Sequence, residues 1–267
     1  MQPMLTIALR AARKAGELIV RASEELEFIR VDEKGLNDFV TEVDRRAEEE
    51  IIYHLRKAYP DHAILGEESG STEGSEASEY QWIVDPLDGT LNFIRGIPHY
   101  AISIACLYRG KVEHAVVLDP IRREEFTASR GRGASLNGRR IRVTNARNLD
   151  GTLLATGIPF KGRDEKHIEG YTKGLAQLTS QTTGIRRAGA ASLDLAYVAS
   201  GRVDGFWELG LASWDIAAGS LLVQEAGGLV TDLDGGTNYL DSGNIVAATP
   251  KLIKLIIQNV RPHLDQL

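Results

Sequence analysis

The sequence predicts a mixed α/β protein, one domain over 1–267 in two lobes. Two amphipathic helices open the chain, apolar runs broken by Gly-containing turns follow, and past residue 150 short apolar strands alternate with helices. The first two features read as helices laid against a largely antiparallel sheet (lobe 1–150). The third reads as an α/β lobe (151–267). No composition break marks a linker between them, and no internal repeat is present.

The 267 residues include 43% hydrophobic and 25% charged, ordinary for a soluble domain of this size. A net charge of −6 argues against bulk nucleic-acid binding, although a local basic patch can escape that average. The single cysteine, Cys106, excludes an internal disulfide framework, and its setting in the run Ile102–Tyr108 makes it a buried, inert thiol. The six histidines include no i,i+4 pair, which disfavours a His-rich zinc site. No apolar run approaches the roughly 18–20 residues of a membrane span. Met1-Gln2-Pro3-Met4 leads into a helix rather than a signal peptide, so a cytoplasmic location is expected.

The elements follow in order. Ile7, Ala8, Ala11, Ala12, Ala15, Leu18, Ile19 and Ala22 recur at helical spacing and predict a helix from Pro3 to Leu26. Residues 28–38 are polar and read as a mobile loop. Thr41 with Asp44 three residues on reads as a helix cap, and the helix runs through Ala47, Ile51, Ile52 and Leu55 until Pro60 stops it. Ala63–Gly66 is a short strand, and 71–79 a surface loop. Ala101–Tyr108 and Val112–Asp119 flank Arg109-Gly110-Lys111 as a hairpin. Glu125–Ser129 follows, and Asn137-Gly138 marks a second hairpin. In the second lobe, Leu153–Thr156, Ile185–Arg187, Gly205–Glu208, Leu229–Thr231 and Ile245–Ala248 read as strands. Residues 164–180, Ala190–Ser200, Trp214–Ala226 (capped by Ser213) and Pro250–Arg261 read as helices.

The stretch Trp82–Phe93 organises this frame. Trp82, Ile83 and Val84 end a buried strand, Asp85 follows, and Pro86 is expected to stop the strand. Asp88 comes three residues later, before Gly89-Thr90, where a short helix can begin. Two carboxylates aimed at one point repel unless one is protonated or a cation lies between them. Oxygen-rich sites of this kind suit Mg²⁺, and free N–H groups at a helix start suit phosphate. Glu67 after a strand, and Asp44 and Asp215 in first helical turns, are further acids that could converge. Dipole complementation alone also explains the two helical ones.

Asp85-Pro86-Leu87-Asp88-Gly89-Thr90 and Trp214-Asp215-Ile216-Ala217-Ala218-Gly219 resemble the two signatures of the inositol monophosphatase family. Gly66-Glu67-Glu68-Ser69 resembles the acidic element that precedes them. Asn37–Thr41 and Ser192–Ala199 are similar to the bacterial, SuhB-like branch, and the likeness runs the full chain. The resemblance implies a layered α-β-α-β-α sandwich of the inositol monophosphatase/fructose-1,6-bisphosphatase type. It implies a lithium-sensitive, Mg²⁺-dependent phosphomonoesterase acting on inositol 1-phosphate or a similar polyol or sugar phosphate. By the same resemblance, Glu67, Asp85 and the Leu87 carbonyl hold one Mg²⁺. Asp85, Asp88 and Asp215 hold a second, and a third leans on Glu67. Gly89 and Thr90 contact the phosphate, and Thr90 paired with Asp44 orients the water. Gly189, Ala190, Ala191 and Glu208 contact the alcohol. Leu91 departs from the family, where a second Thr is common, and a packing difference at the helix start is expected. The family also tends to keep a lysine near Lys34.

Eight arginines lie between Arg122 and Arg147 against Glu124 and Glu125 alone, giving the span +6 and the remainder of the chain −12. This is either a solvated sheet face or a patch for RNA or an acidic protein. Resemblance to the SuhB-like branch implies the second, through RNA, NusA or RNA polymerase in transcription antitermination, and also a homodimer.

Overall fold

The computed structural model describes residues 2–26, 29, 31–35, 38–72, 74, 75, 78–159 and 165–264, giving the backbone alone over 31–35 and 38–40. Helix α1 spans Pro3–Ser23, strands β1 Val31–Gly35 and β2 Asp38–Thr41, helix α2 Glu42–Ala58, and strands β3 Ala63–Gly66, β4 Gly70–Thr72 and β5 Tyr80–Asp88. Helix α3 (Thr90–Ile94) follows, then β6 Ala101–Tyr108, β7 Lys111–Asp119, β8 Glu124–Ser129, β9 Gly133–Leu136 and β10 Arg139–Arg140. The second half holds β11 Leu153–Thr156, α4 Ile168–Thr179, β12 Gly184–Arg186, α5 Ala191–Ala199, β13 Gly205–Glu208 and α6 Ser213–Glu225. It ends with β14 Leu229–Thr231, α7 Tyr239–Ser242, β15 Ile245–Ala248 and α8 Pro250–Val260.

Two sheets and three helical layers alternate. The first sheet runs β10-β9-β8-β7-β6-β5-β3-β4, antiparallel except where β3 meets β5; the second runs β12-β11-β13-β15-β14. Helices α1 and α2 cover one face of the first sheet, α5 and α6 lie between the sheets, and α4 and α8 cover the far face of the second. Strand alternation feeds these layers. Trp82 and Val84 point into the core beneath α1 and α2, and Ile83 into the core shared by both sheets. Phe206 and Ile245 join that shared core, and their neighbours Trp207 and Val246 join the core under α4 and α8. Helix α6, buried without a break from Ile216 to Val223, has no polar face because it is sandwiched.

Several expectations change. Within the expected loop 28–38, the described backbone forms the β1–β2 ladder, while 28, 30, 36 and 37 and the Lys34 side chain lie outside what is described. Gly70–Thr72 pairs with β3 rather than looping, and 73, 76 and 77 are outside the described residues. Helix α1 stops at Ser23, three residues early. Residue 164 is not described, and a 3₁₀ turn at Glu165–His167 precedes α4. Both hairpin turns form as expected, with φ positive at Arg109 and Gly110 and at Asn137 and Gly138, the primed geometry that matches strand twist.

Candidate functional site

Pro86 does not end β5. The strand runs on to Asp88, with Asp85 opposite Ser103 and Asp88 opposite Ala101 on β6. Two residues, Pro86 and Leu87, therefore face only Ile102. A one-residue bulge is a place where proline is tolerated inside a sheet, and β3 has stopped pairing by Val84, so no ladder bond is lost there. The bulge has a chemical consequence. Residues three apart on a regular strand point to opposite faces; the extra residue brings Asp85 and Asp88 to the same side. The Asp85 carboxylate accepts the Leu87 N–H at 2.9 Å, which holds the bulge closed.

Asp215 arrives from α6. Ser213 is not the cap of that helix: Ala212 is, and Asp215 Oδ2 accepts the Ala212 N–H at 2.7 Å. Ser103 on β6 donates to the Trp214 carbonyl at 3.0 Å and ties the helix start to the first sheet. One carboxylate oxygen from each of Asp85, Asp88 and Asp215 then lies within 4.8 Å of the others. Burial is the leading cause that raises Asp85 well above the usual carboxylate range, with the charges of Glu67, Asp88 and Asp215 adding to it. Asp215 is raised in the same way, by burial and then by Asp88 and Glu67. Asp88 is raised less, because the Ser192 hydroxyl, the Ser192 N–H and the Ala191 N–H stabilise its anion. Glu67 follows β3 and is one of the groups that raise the Asp85 carboxyl.

Asp44 lies in the first turn of α2 and closes the expected capping box, with Oδ2 accepting the Thr41 N–H at 2.9 Å. Its other oxygen accepts the Thr90 hydroxyl at 2.9 Å, and Thr90 Oγ1 also lies 3.1 Å from the Leu87 carbonyl. Burial raises the Asp44 carboxyl against these bonds. Gly89 caps α3 at φ +96°, and a Cβ there would come within 3.1 Å of the His99 carbonyl and 3.2 Å of the Gly189 carbonyl. Gly189, Ala190 and Ala191 lead into α5 beside this helix. Glu208, at the end of β13, is raised to about 8 by burial, with Asp194 next. Leu91 is 44% exposed at the start of α3.

Three holding residues were missed by sequence reasoning. Glu48 accepts the Glu68 and Ser69 N–H groups at 2.9 and 2.8 Å and so fixes the turn that carries Glu67. Its signal was its spacing: four residues after Asp44, it shares that helix face. Its carboxylate also explains Gly66, where a Cβ would lie 2.5 Å from Oε2. Ser192 donates its N–H to Asp88 Oδ2 at 2.8 Å. Asn92 donates to the His99 and Ala188 carbonyls at 2.7 and 3.0 Å, clamping α3 to the loop before α5. Nothing local in the sequence marks the last two.

The sequence matches the inositol monophosphatase family over residues 1–265. It is 61% identical to a Nus factor SuhB of Pseudomonas aeruginosa, covering 99% of this chain and 98% of that one. It is 54% identical to the Nus factor SuhB of Escherichia coli strain K12, with the same coverage. Among solved structures, the extragenic suppressor protein SuhB of Bartonella henselae superposes with a TM-score of 0.94 at 43% identity, over 97% of this chain and 99% of the other. A Thermotoga maritima inositol monophosphatase superposes at 0.87 and 34% identity, over 98% of both chains.

Proposed function

The chain belongs to the inositol monophosphatase family, and on that premise we propose that it is a Mg²⁺-dependent phosphomonoesterase. It would hydrolyse inositol 1-phosphate or a similar polyol or sugar phosphate to the alcohol and inorganic phosphate. The convergence of Asp85, Asp88 and Asp215 carries the reading. Same-sign carboxylates this close, two of them at 1% and 8% exposure, are stable together only with protons or a cation. The donors are all oxygen, which fits Mg²⁺. Glu67, Asp85 and the Leu87 carbonyl would hold one ion, Asp85, Asp88 and Asp215 a second, and Glu67 a weaker third. Bound there, Mg²⁺ supplies positive charge that makes water a better nucleophile and stabilises the leaving oxygen.

The protein's own groups do the rest. Thr90 spends its proton on Asp44, the nearer of its two acceptors, so its lone pairs face outward and can accept from a water. Asp44 is the sink for that proton, and its raised basicity suits the task. Gly89 and Thr90 turn N–H groups toward the phosphate, and Gly189, Ala190, Ala191 and Glu208 line the alcohol side. The test is phosphate release by purified protein from a panel of polyol and sugar phosphates. Turnover is expected to need Mg²⁺, to fall with lithium, and to drop ~10²-fold in Thr90→Ala. Undiminished turnover in excess chelator rules the reading out.

A second reading has its own support: a Nus-factor role, with or without catalysis, binding RNA, NusA or RNA polymerase in the cytoplasm. The relatives' names favour it, and so does the basic span. Glu124 and Glu125, its only acids, are already paired with Arg202 and Arg13 from outside it. Arg122 and Arg130 pair with Asp119 and Glu113. Arg123, Arg132, Arg139, Arg140, Arg142 and Arg147 are exposed with no ion pair among the described residues. A homodimer belongs to both readings and rests on the family likeness.

A further inference from the structure

Helix α6 starts at the acidic cluster and ends on a carboxylate with a different task. Glu225 stands in its last turn, where the dipole disfavours negative charge, and no basic residue shares that turn. The carboxylate is taken up by the β8–β9 turn of the first sheet. Oε1 accepts the Gly131 N–H and Oε2 the Gly133 N–H, both at 2.7 Å. These glycines have φ of +71° and +84°, so Arg130-Gly131-Arg132-Gly133 can bend two N–H groups toward one carboxylate. Glu225 makes no ion pair among the described residues, so the clamp takes up no guanidinium. Arg130 is engaged by the Val112 carbonyl and Glu113, which leaves Arg132 at the tip.

Two more arginines border the clamp. A Cβ on Gly133 would lie 3.4 Å from Arg140 Nε and Nη2, so that guanidinium lies over the turn. A Cβ on Gly227 would lie 4.0 Å from Arg142 Cδ, and the next residue, Val143, donates its N–H to the Ala226 carbonyl at 3.2 Å. Arg142 uses one N–H on the Ile141 carbonyl at 2.9 Å. Arg132, Arg140 and Arg142 are all exposed, with no ion pair among the described residues. The turn and the Arg142 segment are thus fastened to the end of α6 through main-chain groups, with Arg140 lying over the turn.

The chemistry of this face favours phosphate. The span from Arg122 to Arg147 contains no lysine. Guarding an edge needs only charge, and lysine serves it well; the planar arginine fork matches the paired oxygens of a phosphate. No large apolar side chain is exposed between Ile121 and Ile158 among the described residues. The centre of a protein–protein interface is apolar, whereas nucleic-acid interfaces are polar and positive.

We propose that Glu225 is a positioning residue for a nucleic-acid surface, holding the Arg130–Gly133 turn so that Arg132, Arg140 and Arg142 meet the phosphates of an RNA strand. The inference rests on the RNA arm of the second reading above and deepens it from a basic span to a built surface.

The experiment measures binding of a labelled single-stranded RNA to the full-length protein by fluorescence anisotropy over a salt series. Arg132→Ala and Arg140→Ala should each weaken binding and flatten the salt dependence by roughly one unit of log–log slope. Glu225→Ala removes a negative charge, so field alone would tighten binding. Positioning demands the reverse: affinity should fall about three- to tenfold, the range of one or two net hydrogen bonds. Glu225→Gln has the same charge as the Ala variant but keeps one acceptor oxygen, so it should bind between the parent and Ala. Equal affinities in Gln and Ala overturn the proposal. Ten residues of helix, roughly 15 Å, separate Glu225 from Asp215, so phosphate release should not change. If Glu225→Ala does not fold, Arg132→Ala decides, and parent-like affinity and slope there overturn the proposal. No RNA binding by the parent at low salt removes the RNA reading and this inference with it. RNA binding that Glu225→Ala leaves unchanged or tightens removes the inference alone. Competition by poly-glutamate as strong, charge for charge, as by unlabelled RNA makes the face a surface for an acidic protein and also overturns it.

Discussion

Asp85, Asp88 and Asp215 gather at the end of a central strand, while Arg139 and Arg140 stand exposed on the outermost strand of the same sheet. Both regions crowd charges of one sign. Around the acids each carboxylate is held through one oxygen: Leu87 N–H on Asp85, Ser192 on Asp88, Ala212 N–H on Asp215. On the edge, water does that work, and the arginines need no fixed partner. Burial makes repulsion expensive and therefore demands a ligand of defined shape. Exposure makes it cheap and leaves long-range attraction, tunable by salt, as the main effect.

The sharpest way to break this contrast is Asp85→Asn. Turnover should fall about 10³-fold or more, beyond the loss of a single transition-state donor. Stability should move the other way. Because burial raises the Asp85 carboxyl, the folded state holds its proton at a pH where the unfolded chain has lost it. Stability is therefore full below the usual carboxylate range and declines as pH rises from there toward the raised value. Removing the charge removes that decline, so at pH 8 in chelator the variant should melt no lower than the parent. Mg²⁺ should raise the parent's melting temperature and leave the variant's nearly unchanged. A variant that still gains from Mg²⁺ as the parent does shows that the cluster is not the metal site.

Glu48→Ala sharpens the contrast at smaller scale, because it touches only the holding groups. The Glu68 and Ser69 N–H groups lose their acceptor, which costs ~1–3 kcal/mol. The turn that carries Glu67 loosens, and Mg²⁺ affinity should fall about tenfold, in the range of outer groups that orient ligands. Glu48→Gln keeps one acceptor and should fall between parent and Ala. Thermal melts in chelator and a Mg²⁺ titration read the two effects separately; unchanged Mg²⁺ affinity in Glu48→Ala would show that the turn does not position a ligand.

Much of this was legible in the chain, at the scale where local rules act. Periodicity placed α1, α2, α8 and most strands, the hairpin around Arg109-Gly110-Lys111 followed from composition, and Asn137-Gly138 marked a primed turn. The family likeness, not spacing, drew Asp44, Glu67, Asp88 and Asp215 together, since no local rule can join α2, β3, β5 and α6. Pro86 misled because proline's rule for central strands has an exception at bulges, and the bulge shows only in the pairing with Ile102 and its neighbours. Ser213 misled for a related reason: a carboxylate three residues inside a helix can cap it as well as a hydroxyl at its start. Glu48 showed only in its spacing from Asp44, and Asn92 stayed silent because its partners are backbone groups, which leave no mark in a sequence; Ser192 stayed silent because its partner, Asp88, lies 104 residues away.

The smallest effect on stability and turnover should come from the edge. Arg139 and Arg140 pair with Leu136 and Ser135 only through their backbones, and both side chains are exposed. Reversing both charges, Arg139→Glu with Arg140→Glu, should change stability by no more than ~0.5 kcal/mol and leave phosphate release as it was. Binding to RNA, if the edge carries it, should weaken, and its dependence on salt should flatten by about one unit of log–log slope per lost contact, because fewer counterions are released. The same arginines have a plainer use, since charges on an edge strand keep it from pairing with another sheet. The two uses part cleanly. Glutamates guard an edge as well as arginines do, so the reversed variant should stay unaggregated either way. If it binds RNA with the parent's affinity and salt slope, the arginines only guard the edge. If binding falls while melting temperature and turnover hold, the exposed region is a working surface, independent of the buried site.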